Sequence, residues 1–232
     1  MDLLESLKNP VYKIASFELV DLPLIQYVAK TGKPMIMSTG MASEKEIEEA
    51  VVTAKNAGCK EVVLLHCISS YPTAIDQANL CRIPALAKRF RLPVGLSDHT
   101  LGTTASVTAV ALGACVIEKH FTLSRADKGP DCEFSLEPNE LKSLCRDVRE
   151  AWTALGSFGL WRPKAEKGNA VFRRSLYITE NVKRGEKLNA KNLRRIRPGM
   201  GMPPKFINQF IGKKVNRDLN RGTRLERKFI LK

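Results

Sequence analysis

The sequence predicts an α/β fold, a partial barrel of parallel strands and helices followed by a small all-β module. Through the first 155 residues, five short β-branched runs alternate with amphipathic helical stretches, a pattern typical of parallel βαβ units. After residue 172 the pattern changes to short strands separated by Gly turns, which indicates a small β module. We therefore place the partial (β/α) barrel at 1–155, a linker at 156–172 and the second domain at 173–232.

The strands and helices of the first domain follow from local patterns. The strand-like runs are residues 11–16, 35–39, 61–67, 94–98 and 115–121. After the second run, Ser43 and Glu46 form a capping box, and Gly58 marks the end of that helix. The helix after the fourth run is rich in small residues, and we expect residues 99–101 to lead it.

Polar residues stand at the carboxyl ends of all five runs, which is how barrel enzymes build their sites. An open doubly wound sheet also fits five units, but no GxGxxG or GxxxxGKS loop follows the first run, which weakens a nucleotide-binding interpretation. A complete eight-unit barrel takes about 250 residues. Five units therefore predict a barrel whose first three units are missing.

The net charge of +14 belongs to the last third of the chain. Residues 1–160 hold 17 Lys+Arg and 19 Asp+Glu, whereas residues 161–232 hold 21 and 5. The basic region has few aromatic residues and no recognition-helix pattern, so a nucleic-acid partner is the weaker interpretation. No apolar run reaches the roughly 18 residues of a membrane span, and the first ten residues do not resemble a signal peptide. We expect a cytoplasmic protein without a membrane partner.

The six cysteines predict reduced, structural thiols. They include no CxxC pair, and neither a metal cluster nor a secreted disulfide scaffold fits their spacing. Cys67 and Cys115 lie inside apolar runs, where a free cysteine acts as a small hydrophobic residue.

Two histidines predict a metal site because they end neighbouring strand runs. His99 and His120 follow the fourth and fifth runs, and matched ends of adjacent strands lie about 5 Å apart. Two imidazoles at that separation are able to share a divalent ion. The alternative is a pair of hydrogen-bonded core histidines.

Two lysines in otherwise apolar runs predict a bound anion or an ion pair. Lys13 and Lys119 each need a partner, because an unpaired buried charge is costly. The hydroxyl groups of Ser16, Ser38 and Ser97 stand at three strand ends. A lysine among hydroxyls is typical of a phosphate or carboxylate site, although turn chemistry alone explains any single serine.

Six strings in fixed order make the sequence similar to a known family. They are KIASFE (13–18), STGMAS (38–43), SSYPTA (69–74), GLSDHT (95–100), EKHFTL (118–123) and GPDCEFSLEP (129–138). Together they resemble the sialic acid (nonulosonic acid) synthases, and the strings RSLY, KRGE and RPGMGMPPKF resemble that family's antifreeze-like (SAF) β-clip domain. KIASFE followed by DLPLI is most similar to the pseudaminic acid synthase branch.

The resemblance implies a transferase that condenses phosphoenolpyruvate with an N-acetylated amino sugar, giving a nonulosonic acid and phosphate. It implies that His99 and His120 hold Mn²⁺, with Mg²⁺ or Co²⁺ as alternatives, and that Glu18 joins them in catalysis. The implied phosphoenolpyruvate-binding residues are Lys13, Ser16, Ser38 and Ser97, and the sugar-binding residues are Glu18, Ser69, Tyr71, Asp131 and Arg197. In this family the second domain's arginine reaches the partner's barrel in a domain-swapped homodimer.

The resemblance also predicts that the chain is N-terminally truncated. The family's barrel begins with strands that carry further ligand-binding groups, and five units leave two sheet edges unpaired. We therefore expect impaired activity from this chain alone. The alternatives are a non-catalytic sugar-binding or assembly subunit that keeps the synthase fold, and a different metal-dependent barrel aldolase.

Overall fold

The computed structural model describes residues 2–231, which divide between Ser157 and Phe158 into two compact units. The strands of the first unit are β1 (Tyr12–Ile14), β2 (Met35–Ser38), β3 (Val62–Cys67), β4 (Val94–Asp98) and β5 (Ile117–Lys119). Its α-helices are α1 (Asp2–Ser6), α2 (Leu22–Ala29), α3 (Glu44–Asn56), α4 (Arg82–Phe90), α5 (Thr104–Ala111) and α6 (Pro138–Leu155). Within residues 2–231, no helix is both long and apolar enough to span a membrane.

The five strands pair side by side in chain order, and every pairing is parallel. The register places Met37 beside Leu64 and Leu64 beside Val94, and all three side chains are buried. Such continuous apolar runs arise because parallel strands are covered on both faces. The predicted α/β fold with five parallel βα units is confirmed. That three opening strands are missing stays a prediction.

The sheet curls into a half-barrel. Lys13 in β1 and Glu118 in β5 belong to the two outermost strands, yet Lys13 Nζ lies 3.5 Å from Glu118 Oε1. Across a flat sheet these strands would lie about 19 Å apart, at about 4.8 Å per strand. The curl therefore brings the ends of distant strands to one place.

The predicted helix after β2 is confirmed together with its cap. Ser43 N donates to Glu46 Oε2 (2.7 Å), and Glu46 N donates to Ser43 Oγ (3.3 Å), which completes the capping box. Ile47 and Val51 on one face of α3 are buried in the core. The helix ends before Gly58, which has a φ of 105°. Residues with a side chain rarely adopt this conformation.

Helix α5 begins later than predicted. Residues 99–101 do not lead it, and its first residue is Thr104. The cause is Asp98, whose Oδ1 accepts hydrogen bonds from the N–H (2.8 Å) and the hydroxyl (2.7 Å) of Thr100. Such a local side-chain bond competes with helix formation, and the expected start was wrong for this reason.

The second unit is built around a small antiparallel pair of strands. Its elements are α7 (Lys164–Lys167), β6 (Ser175–Ile178), β7 (Leu193–Ile196) and α8 (Ile207–Phe210). Its core is a cluster of buried apolar side chains that includes Leu176, Leu193 and Val215. Part of the predicted linker is helical, because α7 and a 3₁₀ turn at Gly168–Phe172 lie within residues 156–172. The KAEK segment of α7 consists of good helix formers.

All six cysteines are free, as the sequence predicts. Cys67 is buried at the end of β3, in agreement with its expected role as a small hydrophobic residue. Cys115 is exposed instead. It precedes β5, which is an outer strand of the described sheet and pairs with β4 alone.

Candidate functional site

Side chains from the strand ends meet inside the curl of the sheet. Ser97 Oγ donates to Glu118 Oε1 (2.7 Å), the same oxygen that lies 3.5 Å from Lys13 Nζ. After β1, Ser16 Oγ accepts a hydrogen bond from Gly40 N (3.0 Å). Strands β1, β4 and β5 thus contribute a lysine, a serine hydroxyl and a carboxylate to one bonded group.

Ser38, at the end of β2, carries an incomplete hydrogen-bond set. The residue is 2% exposed, and its Oγ has no hydrogen-bond partner among residues 2–231. A buried hydroxyl without a partner costs about 1–3 kcal/mol. An acceptor on a bound ligand would satisfy this group, which is one of those predicted to bind an anion.

The two histidines are brought together as predicted. The ring centroids of His99 and His120 lie 5.2 Å apart. His99 Nδ1 is 2.9 Å from the carbonyl oxygen of Ile68; because a carbonyl only accepts, Nδ1 carries the proton and Nε2 of the neutral ring keeps its lone pair. His120 Nδ1 lies 3.6 Å from Asp131 Oδ2.

The surroundings shift the two imidazole pKa values in opposite directions. Burial lowers the pKa of His99, but hydrogen bonds to Cys67 and to the Ile68 carbonyl outweigh burial, and the net pKa is raised. Burial, followed by the charge of His99, lowers the pKa of His120. The two rings therefore resist being protonated together.

The donor set suits a divalent ion held by two imidazoles. Among the described residues, no group of three or more His, Cys, Asp or Glu side chains is arranged as a metal site. A metal here would have two nitrogen ligands, His99 and His120, and would take its other ligands from water or substrate. Open positions of this kind are typical of catalytic metal sites. The free Nε2 of His99 fits such a role.

An aromatic wall stands beside the histidines. The ring of Tyr71 lies 4.2 Å from that of His99, and the ring of Phe134 lies 5.1 Å from that of His120, centroid to centroid. Tyr71 and Phe134 are themselves 5.7 Å apart. Tyr71 is 44% exposed, so its ring is open to a ligand.

Three further predicted residues lie in different surroundings. Ser69 Oγ comes close to the backbone of Gly40, near Ser16. Glu18 is exposed, and its carboxylate accepts a hydrogen bond from Ala15 N (2.8 Å), which caps a 3₁₀ turn. Arg197 follows β7 in the second unit. The catalytic role of Glu18 and the approach of Arg197 to a partner's site stay predictions.

Glu118 and Phe134 are candidate site residues that the sequence reasoning did not assign. Glu118 stands near the end of the fifth strand run, two residues before His120, and side chains two apart on a strand share a face. Since His120 was assigned to the site, the same alternation would have placed Glu118 there. Lys119, between them, belongs to the other face and is paired with Asp98 (2.8 Å), which was one of its two predicted outcomes.

Comparisons with known sequence families match both units. The sequence model of the NeuB family matches residues 1–159, and that of the SAF domain matches residues 173–226. These ranges agree with the resemblance to nonulosonic acid synthases and to their SAF domain.

Two named relatives and a solved structure agree with this match. The chain is 39% identical to pseudaminic acid synthase of Helicobacter pylori over 97% of its length, and 43% identical to N,N'-diacetyllegionaminic acid synthase of Campylobacter jejuni over 92%. It spans about two thirds of the length of these relatives, 66% and 65%. The crystal structure of the spore coat polysaccharide biosynthesis protein SpsE from Bacillus subtilis matches 99% of the chain, with 34% identity and a TM-score of 0.65, and 70% of that protein is covered. The chain belongs to the NeuB family.

Proposed function

We propose that this chain forms the catalytic site of a nonulosonic acid synthase, which joins phosphoenolpyruvate to an N-acetylated amino sugar. The products are a nine-carbon 2-keto acid and inorganic phosphate. One observation carries the proposal: a lysine, the buried unpaired hydroxyl of Ser38 and two adjacent imidazoles lie at the same end of one curled sheet. The names of the synthases among its relatives support the same reaction.

The anionic substrate would bind at the β1, β2 and β4 ends. Lys13 supplies a positive charge, and it is partly exposed, so a phosphate or carboxylate has access to it. Ser16, Ser38 and Ser97 supply hydroxyl groups around it. Charge-assisted hydrogen bonds to phosphate are about twice as strong as neutral ones, which suits a substrate with three negative charges.

The amino sugar would bind between the histidines and the aromatic wall. Tyr71 and Phe134 offer apolar faces to the sugar and its acetyl group, while Asp131 and Ser69 offer polar contacts. A divalent ion, Mn²⁺ by resemblance with Mg²⁺ and Co²⁺ as alternatives, would be held by His99 and His120 and would polarise the open-chain aldehyde.

The reaction forms a bond between C3 of phosphoenolpyruvate and the aldehyde carbon of the sugar. The aldehyde oxygen gains a proton, water adds at C2, and the C2–O bond to phosphate breaks. A carboxylate is suited to the proton transfers that these steps need. Glu118 already accepts a hydrogen bond from Ser97 Oγ, and Glu18 is the second candidate by resemblance.

The SAF unit would complete the site in a domain-swapped homodimer. By resemblance, Arg197 of one subunit would contact the sugar bound in its partner. The excess of positive charge in residues 161–232 suits a unit that approaches an anionic substrate.

The first test is binding, because the chain spans only two thirds of its relatives. We expect phosphoenolpyruvate with Mn²⁺ to raise the melting temperature of the wild-type chain and of the control variant Ser143→Ala on α6. In Ser38→Ala the rise in melting temperature should be smaller, because this variant lacks the buried hydroxyl that would donate a hydrogen bond to the ligand. No shift in the wild type would contradict the proposal.

The second test is turnover. Phosphate release should depend on both phosphoenolpyruvate and an N-acetylated amino sugar, and a panel of 2-acetamido and 2,4-diacetamido sugars would identify the branch. We expect this chain alone to turn over more slowly than a synthase with a closed barrel. Binding of both substrates with no phosphate release would favour the non-catalytic subunit instead.

A further inference from the structure

A buried ion pair joins the ends of β4 and β5, one residue before each of the two histidines. Lys119 Nζ is 2.8 Å from Asp98 Oδ2, and the two side chains are 3% and 0% exposed. Asp98 in β4 and Lys119 in β5 are register partners. Each immediately precedes one histidine of the site, His99 or His120.

Every strong hydrogen-bonding group of this pair has a partner. Lys119 Nζ also donates to the carbonyl oxygen of Thr100 (2.6 Å). Asp98 Oδ1 accepts from the N–H and the hydroxyl of Thr100, and Oδ2 accepts from Ser106 Oγ of α5 (2.6 Å). The cluster therefore ties together β4, β5, α5 and the turn that carries His99.

The pair lies on the face of the sheet away from the substrate side chains. Residues that alternate along a strand point to opposite faces, so Asp98 and Lys119 are directed towards α5 while the histidines that follow them are directed into the curl. The ion pair thus lies on the face away from the proposed substrates, and through Thr100 and the two strand ends it is bonded to the backbone that carries the two imidazoles.

We propose that Asp98 and Lys119 are positioning residues that set the spacing of His99 and His120 and thereby the affinity of the site for a divalent ion. This inference rests on the proposed function, because it takes the two histidines as metal ligands. Outer partners that orient metal ligands typically contribute about 10- to 100-fold to metal affinity.

A purely structural role predicts a different result. Replacing a buried ion pair by neutral groups of similar volume often leaves stability unchanged, whereas removing one partner leaves an unpaired buried charge. The double variant Asp98→Asn/Lys119→Met keeps the volume and keeps acceptors for Thr100, but it removes the bond between the two strand ends. Stability and metal affinity are therefore separable in this variant.

The experiment measures Mn²⁺ binding to the full chain by electron paramagnetic resonance, and thermal stability in EDTA. We expect the double variant to melt near the wild-type temperature while its Kd for Mn²⁺ rises about 10- to 100-fold. Arg89→Met, which breaks an exposed ion pair between α4 and α3, is the control and should bind Mn²⁺ like the wild type. A folded double variant with wild-type affinity would overturn the inference.

Two further outcomes keep this inference separate from the proposed function. If the wild type itself fails to bind Mn²⁺, the metal assignment in the proposed function is wrong and the inference falls with it. If the double variant does not fold, Ser106→Ala decides, because it removes one bond to Asp98 and leaves the ion pair intact. We expect its Kd for Mn²⁺ to rise about 2- to 10-fold; an unchanged Kd would refute the positioning role.

Discussion

Replacing Gly40 by alanine should weaken phosphoenolpyruvate binding by displacing the hydroxyl group of Ser16. A Cβ at this position would lie 2.3 Å from Ser69 Oγ and 2.7 Å from Ser16 Oγ, whereas ordinary contacts are about 3.5 Å. The φ of Gly40 is outside the left-handed region, so alanine is compatible with the backbone. The effect of Gly40→Ala therefore comes from these two hydroxyl contacts and from a third, at 3.1 Å, to Ser16 Cβ.

The expected loss of phosphoenolpyruvate affinity in Gly40→Ala follows from the contacts of Gly40. The two closest atoms belong to small side chains that rotate, and the Ser16 Cβ at 3.1 Å needs only a small backbone shift, so we expect the overpacking cost to stay within about 1–3 kcal/mol. Ser16 then leaves the place where it accepts from Gly40 N at 3.0 Å. Losing one hydrogen bond to a charged ligand costs about 1.5–3 kcal/mol, a factor of about 10 or more in Kd.

A thermal-shift assay measures this loss. Phosphoenolpyruvate at about 100 times its Kd stabilises the folded chain by about 2.7 kcal/mol, or roughly 5–10 °C for a unit of this size. A tenfold weaker Kd removes about half of that shift. Gly168→Ala is the matched control, because its added Cβ meets nothing within 4 Å. A Gly40→Ala variant with the full wild-type shift would refute the assignment of Ser16 to the substrate site.

Three other perturbations test the fold. Gly95→Ala should sharply lower the denaturation midpoint, because its Cβ would lie 2.4 Å from the backbone oxygen of Val116, which is unable to rotate away; a wild-type midpoint would contradict the packing of β4 on β5. Ser43→Ala should lower the free energy of unfolding by about 1 kcal/mol through loss of the α3 cap, measured by urea titration against the remote control Ser157→Ala. Burial and a hydrogen bond to Glu5 raise the pKa of Tyr12 to about 12. The stabilisation that the neutral Tyr12 phenol gives the folded chain should be complete below pH 10 and should disappear as the pH rises through 12. In an ultraviolet titration, the Tyr12→Phe variant should lack the last phenol to ionise.

The sequence predicted the sheet well because its signals are local. The runs that became β2 and β3 are mostly apolar without polar alternation, and a parallel strand covered on both faces requires that pattern. The capping box of Ser43 was predictable for the same reason, because its hydrogen bonds join residues that are three apart in sequence. The sequence did not predict the late start of α5, because Asp98 accepts hydrogen bonds from the N–H and the hydroxyl of Thr100. A sequence pattern does not show which nearby donor a carboxylate will bind.

The sequence predicts which residues form the site, but it does not predict which of their side chains bond to each other. Convergence of strand ends predicted that the two histidines lie together, and the 5.2 Å between their ring centroids is close to the spacing of about 5 Å between adjacent strands. The bond between Lys13 and Glu118 was not predictable, because it depends on how strongly the sheet curls. Curl is a property of the packed sheet, and no single strand carries a signal for it.

The ion pair behind the histidines also bears on how β5 finds its register. A slip of β5 by one residue against β4 would turn every side chain of β5 to the opposite face. Glu118 would then enter the buried layer beside Asp98, and Lys119 would enter the curl near Lys13, so two pairs of like charges would replace two pairs of opposite charges. Because an uncompensated buried charge is strongly destabilising, the correct register is favoured by electrostatics as well as by apolar packing. The same register brings the two imidazoles side by side, so the alternation of charged residues in SDH and EKH fixes both the pairing of the strands and the geometry of the site.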